Sequence, residues 1–161
     1  MAVGRFQCGI AALIYHSETQ TYLLLKRSQQ HEVERDAWEC VTGRVNQGES
    51  FEMALHREVL EELGVVVQLE FIIGTSHFYR GQEQPENELL GVKYACTLAN
   101  RDEIRLGEEH SELRWLTANE IYHVLPTNHW LSQTVRRAET VRKSMPPALV
   151  AFFQTVGFES N

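Results

Sequence analysis

Gly43-Arg44-Val45-Asn46-Gln47-Gly48-Glu49, followed seven residues later by Arg57-Glu58-Val59-Leu60-Glu61-Glu62-Leu63-Gly64-Val65, is the stretch on which the reading of this chain turns. Glu58, Glu61 and Glu62 are related by i, i+3 and i+4, so on a helix their carboxylates project to one face. Three like charges at that spacing repel and weaken the helix unless something positive sits among them. A charged helix face is ordinarily just a solvated one, but the surroundings argue otherwise. Glycines bracket the segment, a fourth glutamate, Glu49, stands at its entry, and Arg57 can pair with Glu49 or Glu61. Ligands that offer only oxygen suit hard cations such as magnesium or manganese, whereas zinc would recruit His or Cys.

Outward from this segment, the spacing predicts a helix. Ser50 is a good N-cap and Gly64 a good C-cap, and Met53, Ala54, Leu60 and Leu63 fall near one side of a 3.6-residue repeat. On the N-terminal side, residues 5–15 and 21–27 read as strands joined by Ser17-Glu18-Thr19-Gln20. Residues 28–36 read as an exposed loop, and a short strand over 38–42 runs into Gly43. On the C-terminal side, residues 65–73, 75–80 and 90–98 read as strands, the last two separated by a turn-rich acidic loop over 81–88. A short strand covers 112–116, and a helix begins at Thr117-Ala118-Asn119-Glu120. Helical spacing recurs over 128–143, and Pro146-Pro147 opens a final helix ending near Gly157. Mixed strands and helices with no long linker predict one α+β domain, residues 1–161, with helices packed on a sheet.

Composition sets the limits. A chain of 161 residues buries a core without staples. A net charge of -7 argues against non-specific nucleic-acid binding, which draws on a basic surplus. An acidic protein that takes a polyphosphate needs divalent cations between the two negative partners. Cys8, Cys40 and Cys96 are scattered without Cys-x-x-Cys spacing and read as buried small hydrophobes in a reducing compartment. The apolar run over 9–15 is too short to span a membrane, and no cleavage site precedes the fold. The expected location is the cytoplasm, without membrane association.

The pattern Gly-x5-Glu-x7-Arg-Glu-hydrophobic-x-Glu-Glu-x-Gly-hydrophobic over residues 43–65 resembles the Nudix box at every fixed position. The resemblance implies the Nudix fold, a mixed sheet sandwiched between helices. It also implies hydrolysis of a phosphoanhydride bond in a nucleoside-diphosphate-linked substrate, with Mg2+ or Mn2+ as cofactor. Carried over by position, Glu61 and Glu62 bind the metal, Glu58 binds metal or acts as base for the attacking water, and the Gly43 carbonyl reaches a metal. Glu49 and Arg57 brace loop and helix. The family often recruits a further carboxylate from a later loop; in Gly107-Glu108-Glu109-His110-Ser111-Glu112, Glu109 is the choice, against a plain acidic turn.

Substrate choice is less legible. The run Trp38-x-x-Val41-Thr42-Gly43-x-Val45, with Glu109-His110 and Arg114-Trp115-Leu116, looks like the dihydroneopterin triphosphate pyrophosphohydrolases. A broad nucleoside triphosphate pyrophosphohydrolase that releases pyrophosphate is an equal expectation. The alternatives are an ADP-ribose or dinucleotide polyphosphate pyrophosphatase, and a non-catalytic Nudix-fold nucleotide-binding module, which would be expected to lose box carboxylates. The expected partner is a small-molecule nucleotide or pterin triphosphate; a homodimer is left open. Arg27, rather than Lys26, is the candidate to grip substrate phosphate, because guanidinium binds it bidentately. Trp38 and Phe78-Tyr79 are candidates to stack on a base or pterin, although such aromatics usually belong to a core. His110 lies next to Glu109, yet the default for each histidine is a satisfied structural role.

Overall fold

A computed structural model describes residues 4–29 and 36–160. The chain begins on a nearly continuous apolar run, and this run becomes the central strand, β1 (Gln7–His16). Successive side chains of a strand point to opposite faces, and here both faces are covered. Ile10, Ala12 and Ile14 enter one core, while Ala11 and Leu13 enter the other. β2 (Thr21–Arg27), β3 (Trp38–Glu39), β4 (Val41–Arg44), β5 (Gln68–Tyr79), β6 (Glu88–Thr97) and β7 (His110–Leu116) complete the sheet. Its order is β3-β2-β1-β6-β5, with β4 also on β1 and β7 on β2. β1 runs parallel to β6 and antiparallel to β2 and β4. The expected loop over 28–36 lies largely outside the described residues.

Helices cover both faces. α1 (Phe51–Leu63) seals one core through Ala54, Leu55, Val59 and Leu63. α2 (Ala118–Val124) and α3 (Trp130–Ser144) seal the other through Ile121, Leu131, Val135 and Ala138. α4 (Pro147–Val156) follows and packs against β5. The Nudix-type mixed sheet between helices is therefore what this sequence adopts. Among the described residues, no helix is long and apolar enough to cross a membrane.

Several elements differ from the sequence reading. Residues 65–73 and 75–80 do not form two strands: β5 is one strand, starting at Gln68, with register shifts near Leu69 and Gly74. A bulge absorbs an extra residue without ending the ladder to β6, so the glycine marks a kink, not a boundary. The strand over 38–42 is interrupted at Cys40. In α1 the buried stripe is Leu55, Val59 and Leu63, at i, i+4 and i+8, while Met53 and Leu60 are exposed. β7 is longer than the expected 112–116, because it begins at His110.

Both ends of α1 are fixed by its neighbours. Ser50 Oγ accepts from Met53 N at 3.2 Å, and Gly64, at φ 66°, lets its amide donate to the Leu60 carbonyl at 2.9 Å. The C-terminal segment adds a second cap. Glu159 accepts from the amides of Phe51 (2.8 Å) and Glu52 (3.3 Å), while Glu52 in turn accepts from the amides of Phe158 and Glu159. Phe158 stacks on Phe153, with centroids 4.4 Å apart, and this holds the clasp against α4.

Candidate active site

The site lies where α1, the end of β4 and the loop before β7 meet. Pairing of β1 with β4 sets Gly43 opposite Ile10, under the middle of α1. A Cβ on Gly43 would lie 2.0 Å from Cδ of Glu58, so only glycine leaves room for that carboxylate. Arg57 organises the neighbouring charges. Its Nε and Nη2 donate to the two carboxylate oxygens of Glu49 at 2.8 and 2.9 Å, and Nη1 donates to Glu58 Oε1 at 2.8 Å. Nη2 also reaches the Arg44 carbonyl at 2.8 Å, which ties helix to loop. The Asn46 amide donates to Glu49 at 2.9 Å. Arg57, followed by the Asn46 amide, holds the Glu49 carboxyl down to about 2.

The three helix glutamates do not share one environment. Glu61 is 61% exposed and touches Arg57 only at 3.5 Å, whereas Glu58 is 17% exposed and Glu62 only 6%. Glu62 lies on the sheet-facing side, and its Oε2 is buried with no hydrogen-bond partner. Burial first, then the nearby charges of Glu39, Glu58 and Glu109, push its carboxyl up to about 9, with Arg27 pulling weakly the other way. Glu109 joins this group because its loop is docked on the end of α1. The amides of Arg105 and Gly107 donate to the carbonyls of Leu63 (2.9 Å) and Glu62 (2.8 Å). Gly107 permits the approach, since a Cβ there would lie 3.2 Å from the Glu62 carbonyl oxygen.

Below Glu62 lies a group that the sequence reading missed. Glu39 Oε1 accepts from Arg27 Nε at 2.8 Å and pairs with His110 Nε2 at 3.0 Å, and His110 Nδ1 lies 3.8 Å from Glu62 Oε2. Burial raises the Glu39 carboxyl, but the bonds from His110 and Arg27 outweigh it and hold the group below the usual carboxylate range. Register brings these residues together: Arg27 pairs with His110 across β2 and β7, and Leu25 pairs with Glu39 across β2 and β3. The available signal was a lone glutamate in an otherwise apolar strand, Trp38-Glu39-Cys40-Val41, since a buried charge demands partners.

Other candidates are placed elsewhere. Arg27 is turned inward onto Glu39 rather than lying on the surface, and Lys26 pairs with Asp36 at 3.5 Å. Trp38 is not brought to the carboxylates: one residue from Glu39, it faces the α2–α3 side, with the Arg114 guanidinium 4.9 Å from its ring centre. Phe78 is exposed rather than in a core, and Tyr79 is half-buried.

Among the described residues, no three His, Cys, Asp or Glu side chains form a ready metal cage. Glu61 turns to solvent and Arg57 occupies Glu58. The donors nonetheless fit a hard divalent cation, because they are carboxylate oxygens crowded by like charge and one of them, on Glu62, lacks a partner. The Gly43 backbone lies beneath Glu58.

Comparisons with known proteins agree with this architecture. The family model for the NUDIX domain matches residues 5–138. The nucleoside triphosphatase NudI of Escherichia coli O81 (strain ED1a) is 31% identical over 110 residues, which cover 63% of this chain and 77% of that protein. The fold is similar to the MutT protein from Methanosarcina mazei Go1, with a TM-score of 0.70 and 22% identity over 91% of this chain and 100% of the other. It is also similar to the E. coli dihydroneopterin triphosphate pyrophosphohydrolase, with a TM-score of 0.66 and 22% identity over 83% and 96%.

Proposed function

Because this chain belongs to the NUDIX domain family and is a hydrolase of pyrophosphate bonds, we propose that it cleaves a nucleoside triphosphate or closely similar triphosphate with Mg2+ or Mn2+, releasing pyrophosphate. The observation that carries this reading is Glu62: a buried carboxylate whose Oε2 has no hydrogen-bond partner, set among Glu39, Glu58 and Glu109. Such a group is costly unless a positive charge joins it. Likeness to NudI, named a nucleoside triphosphatase, supports the substrate class. Retention of Glu49, Arg57, Glu58, Glu61 and Glu62 speaks against a binding-only module.

In this reading Glu58, Glu61, Glu62, Glu109 and the Gly43 carbonyl hold the cation. When bound, the cation neutralises phosphoryl oxygens and makes a coordinated water easier to deprotonate. The residues of the chain do the rest. Glu58 accepts the proton of the attacking water, and its position is set by Gly43 beneath it and by the Arg57 bond beside it. Arg57 also locks Glu49 bidentately, so the loop over 43–49 and α1 move as one piece. The three cysteines are free thiols, which fits a reducing cytoplasm.

The test is a substrate panel with and without Mg2+: common and oxidised nucleoside triphosphates, dihydroneopterin triphosphate, ADP-ribose and diadenosine polyphosphates. Cation-dependent release of pyrophosphate from a triphosphate is the expected result. Preference for ADP-ribose or a dinucleotide would move the substrate class, and inertness toward every compound would remove the hydrolytic reading.

A further inference from the structure

Arg27, Glu39, His110 and Glu62 form a chain that joins β2, β3, β7 and α1. Glu39 sits at its centre as an acceptor only. Arg27 donates at 2.8 Å, and Thr42 Oγ1 reaches the other oxygen at a long 3.4 Å. His110 Nε2 must therefore carry the hydrogen toward Glu39. That bond orients the ring, and its other nitrogen, Nδ1, then faces Glu62 Oε2 at 3.8 Å. Both of these atoms are buried and neither has a hydrogen-bond partner. The same histidine immediately follows Glu109, whose carbonyl accepts the Ser28 amide at 2.9 Å. One anchored ring thus adjoins two carboxylates that come from distant parts of the chain.

We propose that Glu39 and His110 are positioning residues: the Glu39–His110 bond, braced by Arg27, fixes the imidazole, and the imidazole edge packed 3.8 Å from Glu62 Oε2 restricts that carboxylate to the orientation that receives the cation, with Glu109 set alongside. The inference rests on the cation-dependent reading of the site. It differs from a plain core hydrogen bond in what it makes depend on His110. A core bond would affect folding alone, whereas a positioning bond affects how well the carboxylates bind an ion in a folded protein. Outer partners that orient metal-binding groups contribute roughly 10- to 100-fold to affinity.

The experiment titrates Mn2+ into wild type, Glu62→Gln, Glu39→Gln and His110→Gln, alongside thermal unfolding and steady-state kinetics with a nucleoside triphosphate. His110→Gln keeps a donor able to reach Glu39 but has no second ring nitrogen. The expected result is a roughly 10- to 100-fold loss of Mn2+ affinity in both Glu39→Gln and His110→Gln while they remain folded. kcat falls and KM for the nucleotide changes little. Wild-type Mn2+ affinity and kcat in both folded variants would overturn the proposal and leave the proposed function standing. A wild type that binds no Mn2+ would overturn both. If neither variant folds, the wild-type protein decides. Mg2+ should shift the ring-nitrogen resonances of His110 and leave those of exposed His123 in place, and an unmoved His110 would count against the proposal.

Discussion

Gly43 and Glu58 compete for one volume: a Cβ at position 43 would stand 2.0 Å from the Glu58 Cδ and 2.3 Å from its Oε1. Backbone strain does not require glycine here; the close approach of the carboxylate does. The cheaper way to relieve the clash is for the Glu58 side chain to swing out, because it is the movable partner. Gly43→Ala should therefore fold, lose the Arg57–Glu58 bond and lower kcat by about 100-fold, as a misplacement of about 1 Å can. Kinetics combined with thermal unfolding checks this, and a fully active Gly43→Ala would mean that Glu58 need not stand where it does.

Arg57 and Glu49 form the brace of the site, and the Glu49 carboxyl titrates at about 2 instead of 4.5. A depressed carboxylate stabilises the fold above its unfolded value, and this contribution is lost as pH falls from about 4.5 toward about 2. Glu49→Gln should flatten the acid limb of the stability curve in that window. Arg57→Lys should weaken the brace and lower turnover, because an ammonium cannot reproduce the two-pronged bond. A Glu49→Gln variant whose acid unfolding overlays wild type would show that the pair contributes nothing.

Glu62 has the opposite sign. Its carboxyl is raised to about 9, so between about 4.5 and about 9 the folded protein holds a proton that the unfolded chain has released. Cation-free protein should therefore lose stability as pH rises across that interval. Glu62→Gln should remove this part of the slope, and Mg2+ should reduce it by taking the proton's place. The same variant should fold yet lose at least about 100-fold in turnover, more than an outer partner would cost. Thermal unfolding from pH 5 to 9 with and without Mg2+ makes the comparison, and a flat cation-free wild-type curve would contradict it.

Glu109 is exposed but belongs to the charges that act on Glu62, through a loop pinned to the end of α1. Glu109→Ala should raise the Mg2+ concentration needed for half-maximal rate by about 10-fold. An unchanged Mg2+ titration would remove Glu109 from the ligand set and leave it as part of an acidic turn.

The clasp between Glu159 and the first amides of α1 should be worth about 1 kcal/mol, as for other N-terminal caps. In a protein of this size such a loss lowers Tm by about 2–4 °C. Glu159→Ala, followed by thermal unfolding, measures it; an unmoved Tm would assign the stability of this end to the Phe153–Phe158 stack instead.

The sequence by itself determined the helix from Ser50 to Gly64, the strands on either side of it and the set of acidic residues that defines the family. All of these are local: cap residues, a period of 3.6 or 2, and fixed offsets within 23 residues of chain over 43–65. It could not distinguish Glu62 from Glu61, which the periodicity sets on one face and the packing of α1 against the sheet separates into a buried and an exposed group. Nor could it join Glu39 to His110, 71 residues apart, or turn Trp38 away from the carboxylates. Those outcomes follow from strand register and from which face of each strand meets which helix. Register is set by pairing between distant segments, so a one-residue slip, invisible to local composition, would reverse every one of them.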